Sequence, residues 1–143
     1  MREGTTMDIS QAVDFMRTNH RAVLHTFRAD GGPQLSPVTV GVDDQGRPIV
    51  SSRETAFKVK NLVRDPRATL CVMTDAFYGE WVFVDARCEI VHLPEAMDQL
   101  VAYYRQVRGE EHPDWDEYRA AMEHDRRVIC RFHVERAGPN AHG

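Results

Sequence analysis

The chain is predicted to be mainly β within the α+β class: a six-stranded antiparallel barrel with peripheral helices. Three observations carry this. Apolar residues alternate at period two, clearest at Val38, Val40 and Val42, at Val82, Val84, Ala86, Cys88 and Ile90, and at Val128, Cys130, Phe132 and Val134. Such runs present one apolar face, as half-buried strands do. Turn signals, Asp30-Gly31-Gly32-Pro33 and Asp43-Asp44-Gln45-Gly46, separate neighbouring runs and suit hairpins. The helical stretches read as plugs rather than crossovers, which favours an antiparallel barrel over a parallel βαβ sheet.

In chain order, residues 1–7 are expected to be a flexible N-terminus, 8–136 one folded domain and 137–143 a disordered tail. Asp8 or Ser10 can cap a first helix, and Asp8 with Gln11 has capping-box spacing. Ile9, Ala12, Val13 and Met16 form its apolar stripe, and it should end near Asn19. Strands are expected at 22–27, around Val38 to Val42, and at 48–52, 68–74, 80–92 and 126–135. Pro94 suits a helix start, where its missing N–H costs nothing. Met97, Leu100, Val101, Tyr104 and Val107 line that helix, and Gly109 closes it. Asp114 and Glu117 repeat the capping-box spacing before a last helix with Trp115, Tyr118 and Met122 on one face. On the outward face of the long strand, Trp81 and Phe83 either mark an interface or pack under a helix.

The stretch from Val50 to Val72 organises the rest: strand, polar turn, short helix, stop, strand. Thr55 can cap the helix. Ala56, Val59 and Val63 fall on one face, with Leu62 beside them, and Asp65-Pro66 ends it. Ser51, Ser52 and Arg53 precede its start, and Lys58 and Lys60 lie in or beside the first turn. Hydroxyls, fixed cations, free backbone N–H groups and a positive dipole end together make an anion site. The alternative is a surface helix with ordinary basic residues.

Composition narrows the function. The chain has 143 residues, 42% hydrophobic and 28% charged, which suits one soluble globular domain. A net charge of −4 argues against nucleic acid as partner. No apolar run is long enough to span a membrane. Cys71, Cys88 and Cys130 lie far apart in apolar runs, so buried free thiols in a reducing cytoplasm are expected. No histidine pair has zinc-ligand spacing, so no metal is expected. There is no G-x-S-x-G elbow, G-x-G-x-x-G or P-loop, so neither a side-chain nucleophile nor a Rossmann site is supported.

Two blocks, S-x-R-E-T-A-x-K-x-x-N-L-x-x-D-P-R-A at Ser51 to Ala68 and H-P-D-W-D-E-Y-R-x-A-M-x-x-D-R-R-V at His112 to Val128, carry a resemblance. The pattern resembles the flavin and deazaflavin oxidoreductases of the pyridoxamine 5′-phosphate oxidase-like superfamily, most of all the actinobacterial coenzyme F420-dependent branch. The resemblance implies a split β-barrel, a homodimer, and F420 as cofactor, with FMN the alternative. F420 is a 5-deazaflavin with a phosphodiester and an oligoglutamate tail, so the cofactor is strongly anionic. By that resemblance the cofactor lies between subunits. The phosphate sits at the helix start that carries Lys58 and Asn61, and Ser36, Pro37 and Val38 lie beside the ring. Trp81 of the partner subunit closes the pocket. Ala56 departs from the pattern, since some relatives carry an arginine there; Arg53 or Lys60 would substitute. The resemblance further implies hydride transfer to a small unsaturated or quinone-like compound, with no essential catalytic side chain. A non-catalytic carrier of the cofactor, or a dimeric domain with no ligand, are the other readings.

Overall fold

Short polar side chains and glycines set the hairpins. In the computed structural model, which describes residues 7–139, the Asp30 carboxylate accepts the Gly32 N–H (2.8 Å) and Gly31 takes the left-handed φ of 85°. This turn joins β1 (Arg21–Phe27) to β2 (Pro33–Thr39). Asp43 Oδ1 accepts the N–H groups of Gln45 (3.0 Å) and Arg47 (2.9 Å), closing the tight turn between β3 (Gly41–Val42) and β4 (Pro48–Arg53). The remaining elements are α1 (Ile9–Thr18), α2 (Phe57–Arg64), β5 (Arg67–Met73), β6 (Trp81–Val91), α3 (Met97–Arg108), α4 (Trp115–His124) and β7 (Arg127–Gly138).

The strands form one curled antiparallel sheet in the order β2-β1-β5-β6-β7-β4-β3. The described residues form seven strands, not the expected six. The run Val38-Val40-Val42 breaks at Val40, whose N–H donates to the His20 carbonyl (2.8 Å) while the His20 ring meets the Val40 carbonyl (2.8 Å). β2 therefore leaves β1 after Thr39, and the chain starts a new ladder with β4, Gly41 opposite Ile49. Val40, Gly41, Val42 and Asp43 are all buried, where simple alternation would expose every second one.

The interior packs α1 through Ala12, Val13 and Met16 against Leu24, Leu70, Val84 and Phe132. Gln11 Oε1 accepts the Asp8 N–H (3.1 Å), so the expected capping pair starts α1. On the outer face a second cluster joins Ile49 and Ile129 to Leu100, Val101 and Tyr118 of α3 and α4. β7 serves both: Val128, Cys130 and Phe132 point inward while Ile129 points out.

Several boundaries differ from expectation. β7 runs on to Gly138, and Ala137, 1% exposed, pairs with Val84 and bridges Met7, so the end of the chain starts no earlier than Pro139. Residues 1–6 and 140–143, expected to be flexible, lie outside the described residues. Ala56, not Thr55, is the N-cap of α2, because the Ala56 N–H is drawn into a turn by the Arg53 carbonyl (3.1 Å). Val63 is exposed, and Asn61 takes the buried place instead. Pro94 precedes α3 in a turn rather than starting it. All three cysteines are free; Cys130 is buried, but Cys71 and Cys88 only partly so. Among the described residues no helix is long and apolar enough to cross a membrane.

Candidate functional site

Among the described residues no strand pairing joins β2 to β4, and the gap is the candidate site. β2 has only β1 as a strand neighbour among those residues, and beyond Ile49 β4 has only β7. Between these two edges lies a hollow of about 340 Å³ lined by Pro37, Val38, Thr39, Ser51, Lys58 and Tyr103. A second hollow of about 420 Å³ shares Thr39, Ser51 and Tyr103 and continues under α3 and α4 to Tyr104, Val107, Arg108, Tyr118, Met122 and Arg127. The cleft thus has two lobes with Tyr103 between them.

Each wall has a local cause. α2 starts at Ala56 with no side-chain cap, so its first N–H groups keep their hydrogen-bonding capacity. Lys58 in that first turn reaches the first lobe. Below it, the buried Asn61 docks α2 onto the β1–β2 hairpin. Its Nδ2 donates to Thr26 Oγ1 (3.1 Å) and Gln34 Oε1 (3.2 Å), and its Oδ1 accepts from Arg64 Nη2 (2.8 Å). α3 closes the other side through two polar residues. The Tyr103 hydroxyl donates to the Thr39 carbonyl (2.6 Å), and the Gln106 amide clasps the Val42 N–H (2.6 Å) and C=O (3.0 Å). A Cβ at Gly41 would lie 2.8 Å from Gln106 Oε1 and 3.2 Å from the Tyr103 ring, so a larger residue there would have to displace both side chains.

The electrostatics are cationic. Lys58 faces one lobe, and Arg108 and Arg127 the other. The buried Nε of Arg127 has no hydrogen-bond partner among the described residues; its nearest carboxylate, Asp125, is 3.9 Å away. Burial pushes the Tyr103 phenol up to about 12, against the opposing effect of a Ser51 backbone hydrogen bond. Burial likewise pushes Tyr118 up to about 12. Both are therefore neutral donors at ordinary pH, and the Tyr118 hydroxyl is already committed to the Leu100 carbonyl (2.8 Å).

Of the residues singled out from sequence, Pro37, Val38, Ser51 and Lys58 come together in the first lobe. Ser36 lies half-buried on the same face of β2 as Val38. The others lie elsewhere. Ser52 is buried on the barrel-interior face of β4. Arg53 turns toward Asp125 (4.0 Å). Ala56 packs on the core, and Lys60 lies on the exposed face of α2 over Phe57 (5.7 Å). Asn61 is an internal anchor. Trp81, 40% exposed, stacks on Phe83 (6.4 Å) on the outer face of β6. Tyr103, Gln106 and Arg127 were missed. Tyr103 falls outside the apolar stripe of α3, and a tyrosine and a glutamine interrupting a surface helix were the signal available.

Comparison with known proteins agrees with this fold. A family model described as pyridoxamine 5′-phosphate oxidase matches residues 9–139. A conserved hypothetical protein from Mycobacterium tuberculosis is similar in structure at 25% identity and TM-score 0.76, over 96% of this chain and 86% of that one. A structure described as an F420 reductase matches at 19% identity and TM-score 0.67, over 87% and 94%. HutZ, the heme storage protein from Vibrio cholerae, matches at 17% identity and TM-score 0.68, over 92% and 94%.

Proposed function

Because the chain belongs to the pyridoxamine 5′-phosphate oxidase family, we propose that it is an oxidoreductase that uses reduced coenzyme F420, with FMN as the alternative cofactor. Its substrate is a small unsaturated or quinone-like compound. The observation that carries this reading is the meeting of Lys58, the uncapped start of α2, Ser51 and the Pro37–Thr39 edge in one cleft. Such a set fits a phosphate joined to a flat, partly apolar ring. Lys58 supplies fixed charge, the first N–H groups of α2 supply donors, and Pro37 and Val38 supply an apolar wall.

When bound, a deazaflavin or flavin supplies the hydride chemistry. The chain's part is to bind, orient and exclude water. Lys58 and the α2 N–H groups hold the anionic end. Tyr103 separates the first lobe from the second, and keeps its proton throughout the neutral range. The second lobe, walled by Tyr104, Val107 and Met122 with Arg108 and Arg127 at hand, is where a substrate has room.

The protein works as a cytoplasmic homodimer with the cofactor at the subunit interface. Exposed Phe77, Tyr78 and Trp81, at 76%, 95% and 40%, give β6 and the loop before it an apolar surface for a second copy. Light scattering should return twice the 16.4 kDa chain mass; a monomer would remove the shared pocket. The deciding experiment is fluorescence titration with F420 and FMN side by side, followed by turnover with an added acceptor. F420 binding with turnover supports the reading. FMN binding alone supports the alternative, and binding without turnover to any acceptor supports a carrier.

A further inference from the structure

Neighbouring residues of α4 serve two different hollows. Tyr118, Met122 and, just past the helix, Arg127 line the cleft. Arg119, Glu123 and Arg126 line another hollow, of about 580 Å³, together with Leu93, Pro94 and Met97, and the cleft uses none of these six. Its volume falls in the range of small-molecule sites. The apolar wall is the segment leading into α3, where Leu93 and Met97 pack partly buried on the outer cluster of Ile49, Leu100 and Ile129. The polar wall is α4 and the turn after it. The Tyr118 hydroxyl bond to the Leu100 carbonyl (2.8 Å) holds α4 on α3, so the two walls keep their spacing.

The polar groups alternate in sign. Arg119 and Glu123 lie one turn apart on α4, and Arg126 follows three residues later. Among the described residues none of the three forms an ion pair. Asp125, the acid next to Arg126, is taken instead by Arg53 (4.0 Å) and Arg127 (3.9 Å). Arg126 is also the one non-glycine among the described residues with a left-handed backbone, at φ 52°. Its N–H donates to the Glu123 carbonyl (3.1 Å) and its carbonyl accepts the Glu54 N–H (2.9 Å), which clamps the turn. Glycine or asparagine takes this conformation more cheaply than arginine, and costly backbone of this kind is characteristic of ligand clamps. The turn does not call for an arginine; the side chain in the hollow does.

A purely anionic ligand there would meet Glu123, and a purely cationic one would meet two arginines. Adjacent charges of both signs on an apolar body satisfy all six lining residues. We propose that this hollow binds a free α-amino acid with a large apolar side chain. Its carboxylate pairs with the guanidinium groups of Arg126 and Arg119, its ammonium pairs with Glu123, and its side chain packs on Leu93, Pro94 and Met97. A peptide terminus carries only one of the two charges and does not meet the set. The site is independent of what the cleft holds.

The test is calorimetric titration of the full-length chain with four probes. These are L-phenylalanine, N-acetyl-L-phenylalanine without the ammonium, L-phenylalaninamide without the carboxylate, and L-alanine without the large side chain. Wild type should bind phenylalanine with a Kd below about 1 mM. Each of the other three should bind about tenfold more weakly or worse, since each lacks one charged bond or the apolar contact. Arg126→Gly should weaken phenylalanine about tenfold, while the melting temperature does not fall, because glycine relieves the left-handed backbone. Glu123→Gln should weaken phenylalanine to the level of the N-acetyl form and should not weaken the N-acetyl form. Three results would each overturn the proposal: an N-acetyl form bound by wild type as tightly as phenylalanine, phenylalanine binding untouched by both Arg126→Gly and Glu123→Gln, or no saturation by phenylalanine up to about 10 mM.

Discussion

The barrel interior and the split beside it are built from the same strands by opposite means. The interior is closed with methyl groups and one large ring: Leu24, Leu70, Val72, Val84 and Phe132 are at most 1% exposed. The split is held open by polar anchors, with Asn61 on one wall and Tyr103 and Gln106 on the other. Apolar packing is non-directional and scales with area removed from water, so it fixes the sheet's curvature without choosing a detailed cleft shape. Hydrogen bonds are directional, and the cleft walls are where the chain spends them. Stability should therefore reside mainly in the interior and ligand geometry mainly in the anchors.

The largest effect expected is on the interior side. Phe132→Ala empties the volume of a fully buried ring between α1 and the sheet and should cost about 3–5 kcal/mol. Chemical denaturation gives this directly, while the fraction still folded should bind cofactor with wild-type affinity. A large loss of affinity in folded Phe132→Ala would mean that the two regions are not separable.

Next comes Lys58→Ala. A hydrogen bond to a charged group contributes about 1.5–3 kcal/mol, so cofactor affinity should fall roughly ten- to a hundred-fold. The melting temperature should stay where it is, because a lysine in a first turn opposes the helix dipole. Unchanged affinity for both F420 and FMN would end the claim that this cleft holds a phosphate.

Asn61→Leu joins the two regions. It leaves the Thr26 hydroxyl, 0% exposed, without its donor, and should cost about 1–3 kcal/mol of stability. Because the same side chain docks α2, affinity should fall as well; Asn61→Asp, which keeps acceptors for Arg64 and for the Thr26 hydroxyl, should recover part of it. A stability loss with affinity fully retained would make Asn61 a core residue and nothing more.

This division also explains what could be read from sequence. The interior follows period two, so its strands, the α1 stripe and the two hairpin turns were legible, as was the Asp114 cap of α4, which accepts the Glu117 N–H at 3.1 Å. The break at Val40 was not, because it depends on a backbone bond to His20, twenty residues earlier. Nor was the burial of Asn61 in place of Val63, since helical spacing cannot tell which wall supplies a polar partner. Lys58 and Ser51 were found through local motif chemistry. Tyr103 reaches the cleft only through tertiary packing, and its place outside the apolar stripe of α3 was too weak a signal to assign it; Arg127 carried no local signal.

The smallest effect expected concerns Tyr103, and it appears only at alkaline pH. An unfolded tyrosine ionises near 10, whereas burial keeps the folded Tyr103 protonated to about 12. Between these values the native state binds a proton that the unfolded state has lost, so stability falls as pH rises. This contribution is fully present below pH 10 and is lost as pH climbs through about 12. Tyr118, pushed up to about 12 as well, behaves in the same way. Tyr103→Phe should therefore lessen the alkaline loss seen in melts between pH 9 and 12 without removing it. Ultraviolet titration should show one late-ionising phenol fewer. At neutral pH the same variant frees the Thr39 carbonyl from its 2.6 Å bond and should cost about 1 kcal/mol. If the alkaline limb of Tyr103→Phe superimposes on wild type, the phenol is already exposed to water, and the partition between the two lobes is not closed.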